Sequence, residues 1–303
     1  MGADMAITDR TDASDRVTLV TGAGAGLGAA FAWACAAEGD TVLVNNRVHP
    51  DRPSSAAALV EDLQAAGHRA GLDEHSVEPE GAAAAIVGSA IDQFGRLDAI
   101  ILNAGISGPA AKVADSDPAD LRDVLNINFF ANAALVQAAL PHLQQSPAGR
   151  IVLVASSAGL HGLRGRAPYA ASKAALIAYG RSLALELART DIRTNIIAPY
   201  AATKMTGAQD GEADPRLSPD RAAPAAAWLA SPGCDVNGQI WVCGGGIFRR
   251  AAMVEGAGGG SADADTAWLA RNAKGISGLA PYREMEGGEA AFADFYASIR
   301  ERD

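Results

Sequence analysis

Three side chains in the middle of the chain have the types and spacing of a proton-transfer site. Tyr169 and Lys173 are four residues apart in an Ala-rich segment, and side chains at that spacing share one face of a helix. A nearby ammonium lowers the pKa of a phenol, which can then act as a general acid or base. Ser156 follows the apolar run Ile151–Val154, and its hydroxyl can hydrogen-bond a carbonyl oxygen that gains charge. The same Tyr-Lys spacing is common on ordinary helix surfaces, so the rest of the chain must decide.

A glycine-rich loop near the N-terminus predicts a dinucleotide site. It reads Thr21-Gly-Ala-Gly-Ala-Gly-Leu-Gly28, after the apolar run Val17–Val20 and before helix formers that begin at Ala29. Glycine lets a phosphate approach the backbone closely, and the following helix N-terminus offers free N–H groups. No Lys-Ser/Thr pair follows the last glycine, which excludes a P-loop. The predicted cofactor contacts in this loop are Gly22, Gly24, Gly26, Leu27 and Gly28.

The residues after the second strand indicate which nicotinamide cofactor binds. The selecting position lies about 20 residues beyond the glycine loop, where the chain reads Val44-Asn45-Asn46-Arg47. No acid is present to bind a free 2′-hydroxyl, and Arg47 could bind a 2′-phosphate. We therefore predict contacts from Asn46 and Arg47 and NADP as the cofactor, with NAD as the alternative. A solvated loop arginine is the other interpretation of Arg47.

Short apolar runs alternate with helical segments along most of the chain. The strand-like runs are Val17–Val20, Thr41–Val44, Ala99–Leu102, Ile151–Val154, Ile192–Ile197 and Gln239–Val242. Helical segments cover Ala29–Glu38, Ser54–Ala66, Glu80–Phe94 and roughly 118–144, 168–188 and 219–230. This alternation predicts an α/β fold, a single Rossmann-like doubly wound parallel sheet with helices on both faces.

Composition divides the chain into three predicted parts. Residues 1–15 are polar and are predicted to be a mobile N-terminus, and residues 16–250 form the dinucleotide-binding catalytic domain. Residues 251–303 are predicted to be a linker and a C-terminal helical extension. The linker is the run Gly256–Ser261, and the helix carries an apolar stripe, for which we expect cover from the body or a partner subunit. The stripe consists of Phe292, Phe295, Tyr296 and Ile299.

Charge and cysteine content exclude several classes of protein. The net charge of −10 disfavours a nucleic-acid partner, because no basic field is present to release counterions. The three cysteines lack metal-ligand spacing, so no metal site is predicted. No apolar run approaches the length of a membrane span, and the acidic N-terminus lacks an apolar signal segment. We therefore expect a cytoplasmic protein with a small-molecule substrate and no membrane partner.

These residues, in this order, resemble the short-chain dehydrogenase/reductase family over roughly Val17 to Gly246. The resembling motifs are Thr21-Gly22-x-x-x-Gly26-x-Gly28, Asn103-Ala104-Gly105, Asn128, Ser156, Tyr169 with Lys173, and Ala198-Pro199 followed by Thr203. Within the family, Ile197–Thr206 resembles the (3R)-hydroxyacyl-CoA dehydrogenase part of peroxisomal multifunctional enzyme type 2. Asn46 departs from that pattern, because those enzymes carry an acid there.

The resemblance implies a role for each matching residue. Asn128, Ser156, Tyr169 and Lys173 are implied to be the catalytic four: Tyr169 exchanges the hydroxyl proton and Ser156 holds the substrate oxygen. Lys173 lowers the Tyr169 pKa and holds the nicotinamide ribose. Asn128 positions a water that relays protons, or kinks its helix. The implied cofactor contacts also include Asn103, Ala104, Gly105, Tyr169, Lys173, Pro199 and Thr203.

The implied activity is hydride transfer between a nicotinamide and a carbonyl or secondary alcohol. The substrate is a 3-oxoacyl or 3-hydroxyacyl thioester, or a hydroxysteroid or cyclic ketone. Arg164 and Arg166 could bind an acidic substrate, although a solvated loop is their more common role. The alternative is a catalytically silent dinucleotide-binding sensor or scaffold, against which the intact Ser156, Tyr169 and Lys173 count.

Apolar side chains on two predicted helices indicate that the chain associates with itself. The family commonly forms dimers and tetramers through the helices at roughly 118–144 and 168–188. Eight side chains in these helices cannot all face the sheet, which predicts a homodimer or homotetramer. They are Phe129, Phe130, Leu135, Leu140, Leu176, Tyr179, Leu183 and Leu187.

Overall fold

A computed structural model describes residues 16–202 and 214–300. Eight strands form one sheet in the order β3-β2-β1-β4-β5-β6-β7-β8. The strands are β1 Val17–Thr21, β2 Thr41–Asn45, β3 Ala70–Asp73, β4 Ala99–Leu102, β5 Arg150–Val154, β6 Arg193–Pro199, β7 Ile240–Gly244 and β8 Ile247–Ala251. Pairing is parallel from β3 through to β7. The predicted α/β fold with a doubly wound parallel sheet is confirmed.

Helices cover both faces of this sheet. They are α1 Gly26–Ala37, α2 Ser55–Ala65, α3 Ala82–Phe94, α4 Pro118–Leu125, α5 Ala131–Leu143, α6 Ser157–His161, α7 Ala167–Glu186 and α8 Ala223–Ala230. One hydrophobic cluster joins α1, α2 and α8 to one face, and α3, α5 and α7 pack against the other. Strands β1, β2, β4 and β5 are buried along their whole length, as expected of strands that are covered on both faces.

The strand order indicates the edge of the sheet at which a ligand would bind. β1 pairs in parallel with both β2 and β4, so the chain reverses its direction of winding between β1 and β4. In open parallel sheets a ligand binds outside the carboxyl ends of the strands at such a switch point. The loops after β1, β4, β5 and β6 converge there, and they carry the predicted motifs.

Several elements differ from the sequence prediction. Strand β3 was not predicted, because Ala-Gly-Leu-Asp is short and contains a glycine that weakens the strand pattern. The predicted helix at 118–144 contains a π-helical turn at Asn126–Phe130. Strand β8 and the five-residue helix α6 were also not predicted. Each is too short to give a periodic signal.

The helix from Pro118 to Leu143 is long and apolar enough to cross a membrane by length and composition. The expectation that no segment reaches this length is therefore wrong. Val124, Leu135 and Leu143 are at most 1% exposed, and the helix packs against α3, α7 and β4. These contacts inside the chain account for its apolar composition.

The described residues divide into two compact units between Arg249 and Arg250. The second unit contains more regular structure than a linker and one helix. An antiparallel pair, β9 Val254–Gly256 and β10 Tyr282–Glu284, accompanies α9 Thr266–Ile276 and α10 Gly288–Arg300. The stripe of four apolar residues lies on α10 as predicted. Its members are 46–69% exposed: Phe292, Phe295, Tyr296 and Ile299.

A buried polar network joins the amino ends of the strands. The Asp98 carboxylate accepts hydrogen bonds from the Val17 backbone N–H (2.9 Å), the Ser146 hydroxyl (2.6 Å) and the Arg96 guanidinium (2.8 Å). Arg150, the first residue of β5, donates to three carbonyls that follow α8, those of Ser231, Pro232 and Cys234. Burial alone would raise the Asp98 pKa, but its hydrogen bonds lower it below 3.8.

We predict that Asp98→Asn lowers the free energy of unfolding by on the order of 2–4 kcal/mol at pH 7, because charged and neutral donors lose a buried acceptor. A carboxylate with a lowered folded pKa stabilises the fold above its unfolded pKa and loses that contribution as the pH falls through the folded value. The difference between wild type and variant should therefore shrink below pH 3.8. Urea unfolding between pH 7 and pH 3 measures it. Asp92→Asn, at an exposed carboxylate of α3, is the control, and a difference that does not change with pH would contradict the prediction.

Candidate active site

Ser156, Tyr169 and Lys173 meet at the carboxyl edge of the sheet. Ser156 follows β5 and caps α6, where its Oγ accepts from the Ala158 N–H at 3.1 Å. Tyr169 lies in the first turn of α7, and its hydroxyl is close enough to Ser156 for the serine hydroxyl to favour the phenolate. Lys173 lies one turn further on, and its Nζ is 5.8 Å from the centre of the Tyr169 ring. The structure thus brings together the three groups that the sequence analysis singled out.

Burial dominates the titration of both groups on α7. Burial raises the pKa of Tyr169, and the hydrogen bond with Ser156 opposes that shift. The expectation of a lowered Tyr169 pKa is wrong for the chain alone, because desolvation of the phenol outweighs the effects that favour the phenolate. Burial also lowers the pKa of Lys173 from 10.5 to about 8. This ammonium therefore stays charged at pH 7 but exchanges its proton more readily than an exposed lysine.

Asn128 lies in the π-helical turn, and its side chain is completely buried. Its Oδ1 accepts from the Ile106 N–H at 2.7 Å, and its Nδ2 donates to the Ile106 carbonyl and the Ser172 hydroxyl, both at 2.9 Å. Asn132 donates to the Asn128 carbonyl at 2.7 Å. The side chain thus ties the loop after β4 to α7. The proposed proton relay through Asn128 stays a prediction.

The glycine loop and the turn after β4 pack closely together. Gly22 has a φ of +62°, and a Cβ there would lie 2.9 Å from the Ala104 Cα. A Cβ on Gly28 would lie 2.3 Å from the Gly22 carbonyl oxygen. Asn103 braces this contact, because its Nδ2 donates to the carbonyls of Thr21 (3.0 Å) and Gly22 (3.1 Å). Larger side chains at either glycine would force the loop apart.

This loop fits the pyrophosphate of a dinucleotide. Helix α1 begins at Gly26, and its N-cap residue Ala25 provides no side-chain cap. The first-turn N–H groups therefore receive no acceptor from the N-cap side chain. The residues of this turn, Gly26, Leu27 and Gly28, line a large cavity that is described below. Backbone donors at a helix N-terminus bind phosphate groups. A nicotinamide dinucleotide would accordingly be held by this turn, with Ala104 and Gly105 beside it.

The adenosine end of the site contains a carboxylate that the sequence analysis missed. Arg47 Nη1 lies 3.4 Å from Glu78 Oε2, and the two side chains are 62% and 40% exposed. Asn46 Nδ2 instead donates to Ser55 Oγ at 3.0 Å. Glu78 belongs to the loop after β3, and that loop was not considered because β3 itself was not predicted. Asp73 at the end of β3 was missed for the same reason, and it accepts from Asn45 Nδ2 at 2.6 Å.

One cavity of about 1380 Å³ connects the two ends of the site. Most of the predicted contacts line it: Gly22, Gly26, Leu27, Gly28, Asn46, Arg47, Asn103, Ala104, Gly105, Ser156, Tyr169, Lys173 and Pro199. Gly24 is absent from the lining, because Ser55 and Asn46 pack against it. Asn128 lies behind the wall. Thr203 falls outside the described residues.

The segment just before Tyr169 in the chain forms part of the cavity wall with a different composition. It is formed by small and apolar residues together with two basic side chains, His161 and Arg166. Arg164, two residues from Arg166, does not line the cavity and is exposed. The structure therefore separates two arginines that the sequence pattern treated alike.

Comparisons with known proteins agree with this geometry. The profile of the short chain dehydrogenase family matches residues 16–214. A short-chain type dehydrogenase/reductase of Mycobacterium tuberculosis is 36% identical over 249 residues, which cover 79% of this chain and 85% of the relative. Peroxisomal multifunctional enzyme type 2 of Drosophila melanogaster is 34% identical over 80% of this chain. The chain spans 41% of that longer relative.

Solved structures show the same fold. A short chain dehydrogenase from Mycobacterium avium has a TM-score of 0.77 and 32% identity, and the match covers 86% of this chain and 94% of the other. The full-length Drosophila multifunctional enzyme has a TM-score of 0.78 and 26% identity, over 94% of this chain and 49% of the other. The profile match spans most of the sheet, and Ser156, Tyr169 and Lys173 lie together at its carboxyl edge. The chain belongs to the short-chain dehydrogenase/reductase family of NAD(P)-dependent oxidoreductases that act on CH–OH groups.

Proposed function

We propose that this chain transfers a hydride between NADP(H) and a ketone or secondary alcohol, with Tyr169 as the proton-transfer group. One observation carries the proposal. The Tyr169 phenol lies beside Ser156 and against the buried Lys173 ammonium, in the same cavity as the glycine loop. The nicotinamide would supply or accept the hydride.

Ser156, Tyr169 and Lys173 stabilise and then neutralise the negative charge that develops on the substrate oxygen. In the reductive direction Ser156 donates a hydrogen bond to the carbonyl oxygen, which becomes negative as the carbon gains hydride. Tyr169 gives its proton to that oxygen, which forms the alcohol and leaves a phenolate. The Lys173 cation favours the phenolate until solvent returns the proton. The oxidative direction reverses these steps.

The proposed substrate is a 3-oxoacyl or 3-hydroxyacyl thioester, a hydroxysteroid or a cyclic ketone. A cis-4-hydroxycyclohexanecarboxylate dehydrogenase of Sinomonas cyclohexanicum is 33% identical over 77% of this chain and 96% of that enzyme. Its name supports a cyclic alcohol, and the multifunctional relatives support the acyl thioester. The open, small-residue wall beyond Tyr169 is compatible with either shape.

We also propose that the chain is a homodimer or homotetramer, although fewer residues support an interface than the sequence suggested. Four of the eight apolar residues are buried inside the chain: Leu135, Leu176, Leu183 and Leu187. The proposed subunit interface is instead an aromatic patch, which consists of Phe129, Phe130 and Tyr179. Its ring centres are 5.3 Å and 5.7 Å apart, and Phe130 is 57% exposed.

Tyr169→Phe removes the proton donor and should lower kcat by on the order of 10²–10⁴-fold. The dissociation constant for NADPH should change by less than about twofold, because the cofactor's phosphate and adenosine contacts remain. A screen of NADPH and NADH absorbance with 3-oxoacyl thioesters, ketosteroids, aldehydes and cyclic ketones supplies the assay. Tyr282→Phe, at an exposed tyrosine of β10, is the control. Substantial kcat in Tyr169→Phe would refute its role, and cofactor binding without turnover of any substrate would favour the sensor or scaffold.

The Arg47–Glu78 pair generates a prediction about cofactor choice. Arg47→Ala should weaken NADPH binding by about 1–3 kcal/mol and NADH binding far less, because the 2′-phosphate loses a charge-assisted contact. Glu78→Gln should tighten NADPH binding, since it removes a competing carboxylate. Titration of both cofactors into each variant measures these effects, with Arg52→Ala as an exposed control. Equal losses for the two cofactors, or a wild-type preference for NADH, would show that NADP is not selected here.

Assembly is tested at the aromatic patch. Sedimentation of the full chain should show a dimer or tetramer, and Phe130→Asp should shift it toward smaller species, because a charge would be buried without a partner. Val113→Asp, at an apolar residue that is 75% exposed elsewhere on the same unit, should leave the assembly unchanged. A monomeric wild type, or an intact assembly in Phe130→Asp, would rule out an interface at this patch.

A further inference from the structure

Arg166 occupies a defined position beside the proton-transfer group. It is the N-cap residue of α7, three residues before Tyr169, and both residues line the same cavity. Its guanidinium donates to the carbonyl of Gly108, in the loop after β4, and a second bond joins the Ala111 N–H to the Gly165 carbonyl at 3.0 Å. These bonds hold the half-buried Arg166 side chain against the loop after β4, and Arg166 lines the cavity.

The Arg166 charge has no acidic partner among the described residues. A guanidinium has five N–H donors, and Gly108 is the partner that the described part of the chain supplies. The one acid in the described cavity lining is Glu78, which follows β3. β3 is four strand positions from β5, or about 19 Å at the usual spacing, and Glu78 is paired with Arg47. Among the described residues that line the cavity, no carboxylate therefore neutralises the Arg166 charge.

We propose that Arg166 binds a carboxylate of the substrate and makes the enzyme selective for keto acids and hydroxy acids. This inference rests on the proposed function, because it assigns the substrate class of the same site. The planar fork of a guanidinium matches a carboxylate in a bidentate geometry. Because Arg166 and Tyr169 line the same cavity and lie three residues apart in the chain, that carboxylate would sit on the same substrate as the reacting carbon. Compact acids are selected over neutral ketones of the same shape.

The first experiment measures binding without turnover. The probes are cyclohexanecarboxylate and its neutral isostere cyclohexanecarboxamide, added to the complex with whichever of NADPH and NADH binds more tightly. Bound-nicotinamide fluorescence reports the dissociation constants. Wild type should bind the acid more tightly than the amide, and Arg166→Gln should weaken the acid by about tenfold to a hundredfold. Binding of the amide should change by less than about threefold.

Two further variants separate charge from structure. Arg164→Gln removes an exposed arginine two residues away and should leave both dissociation constants unchanged. Arg166→Lys keeps the cation and should recover part of the affinity for the acid. A residue that merely braces the loop after β4 would weaken the acid and the amide equally when changed to Gln. That equal loss, or a wild type that does not prefer the acid, would overturn the carboxylate site.

A second measurement distinguishes this inference from the proposed function. Reduction of 4-oxocyclohexanecarboxylate and 4-oxocyclohexanecarboxamide is followed by nicotinamide absorbance. We expect kcat/KM in Arg166→Gln to fall for the acid by the same factor as its binding. Selective binding of the acid by an enzyme that reduces no ketone would contradict the proposed function and support the site. Turnover of both ketones with no effect of Arg166→Gln would support the proposed function and contradict the carboxylate site.

Discussion

The burial of the Lys173 ammonium is the constraint on which the site depends. Its Nζ donates to the Val154 carbonyl at 2.7 Å, and no carboxylate of the described residues neutralises it. A cation in that position requires the end of β5, helix α7 and the loop after β4 to meet closely. A Cβ on Gly105 would lie 3.5 Å from Nζ and 2.9 Å from Asn128 Oδ1, so this loop can approach because it has no side chain there. The same packing places Tyr169 over the cation.

The local patterns predicted most of the fold and the proton-transfer group. Helical spacing predicted that Tyr169 and Lys173 share a face, and glycines between a strand and a helix predicted the phosphate loop. The direction of the Tyr169 pKa shift could not be predicted, because it depends on how much of the phenol the tertiary fold buries. The partners of Asn128 are 22 and 44 residues away in the chain, and such contacts leave no periodic signal. Glu78 was missed because the four-residue strand before it was missed.

Two arginines stand at opposite ends of one cavity in a chain whose net charge is −10. Arg47 at the adenosine end faces the carboxylate of Glu78, which weakens its attraction for a phosphate. Arg166 at the substrate end has a carbonyl partner and keeps its full charge. Together with the open N-terminus of α1 and the Lys173 ammonium, these groups give an acidic protein a local region of positive potential. Anionic ligands are therefore attracted to the cavity rather than to the surface as a whole.

The polar network around Asp98 and Arg150 lies at the amino edge of the sheet, whereas the candidate active site lies at the carboxyl edge. The network joins the amino ends of β1, β4 and β5 to one another and to the segment after α8, through residues that do not line the cavity. The loops at the opposite edge carry the chemistry and contribute little to this fastening. Natural variation or laboratory selection can consequently change the length or charge of those loops while the buried hydrogen bonds at the amino edge keep the scaffold folded. New substrate preferences on this framework are thus accessible by loop exchange at the carboxyl edge alone.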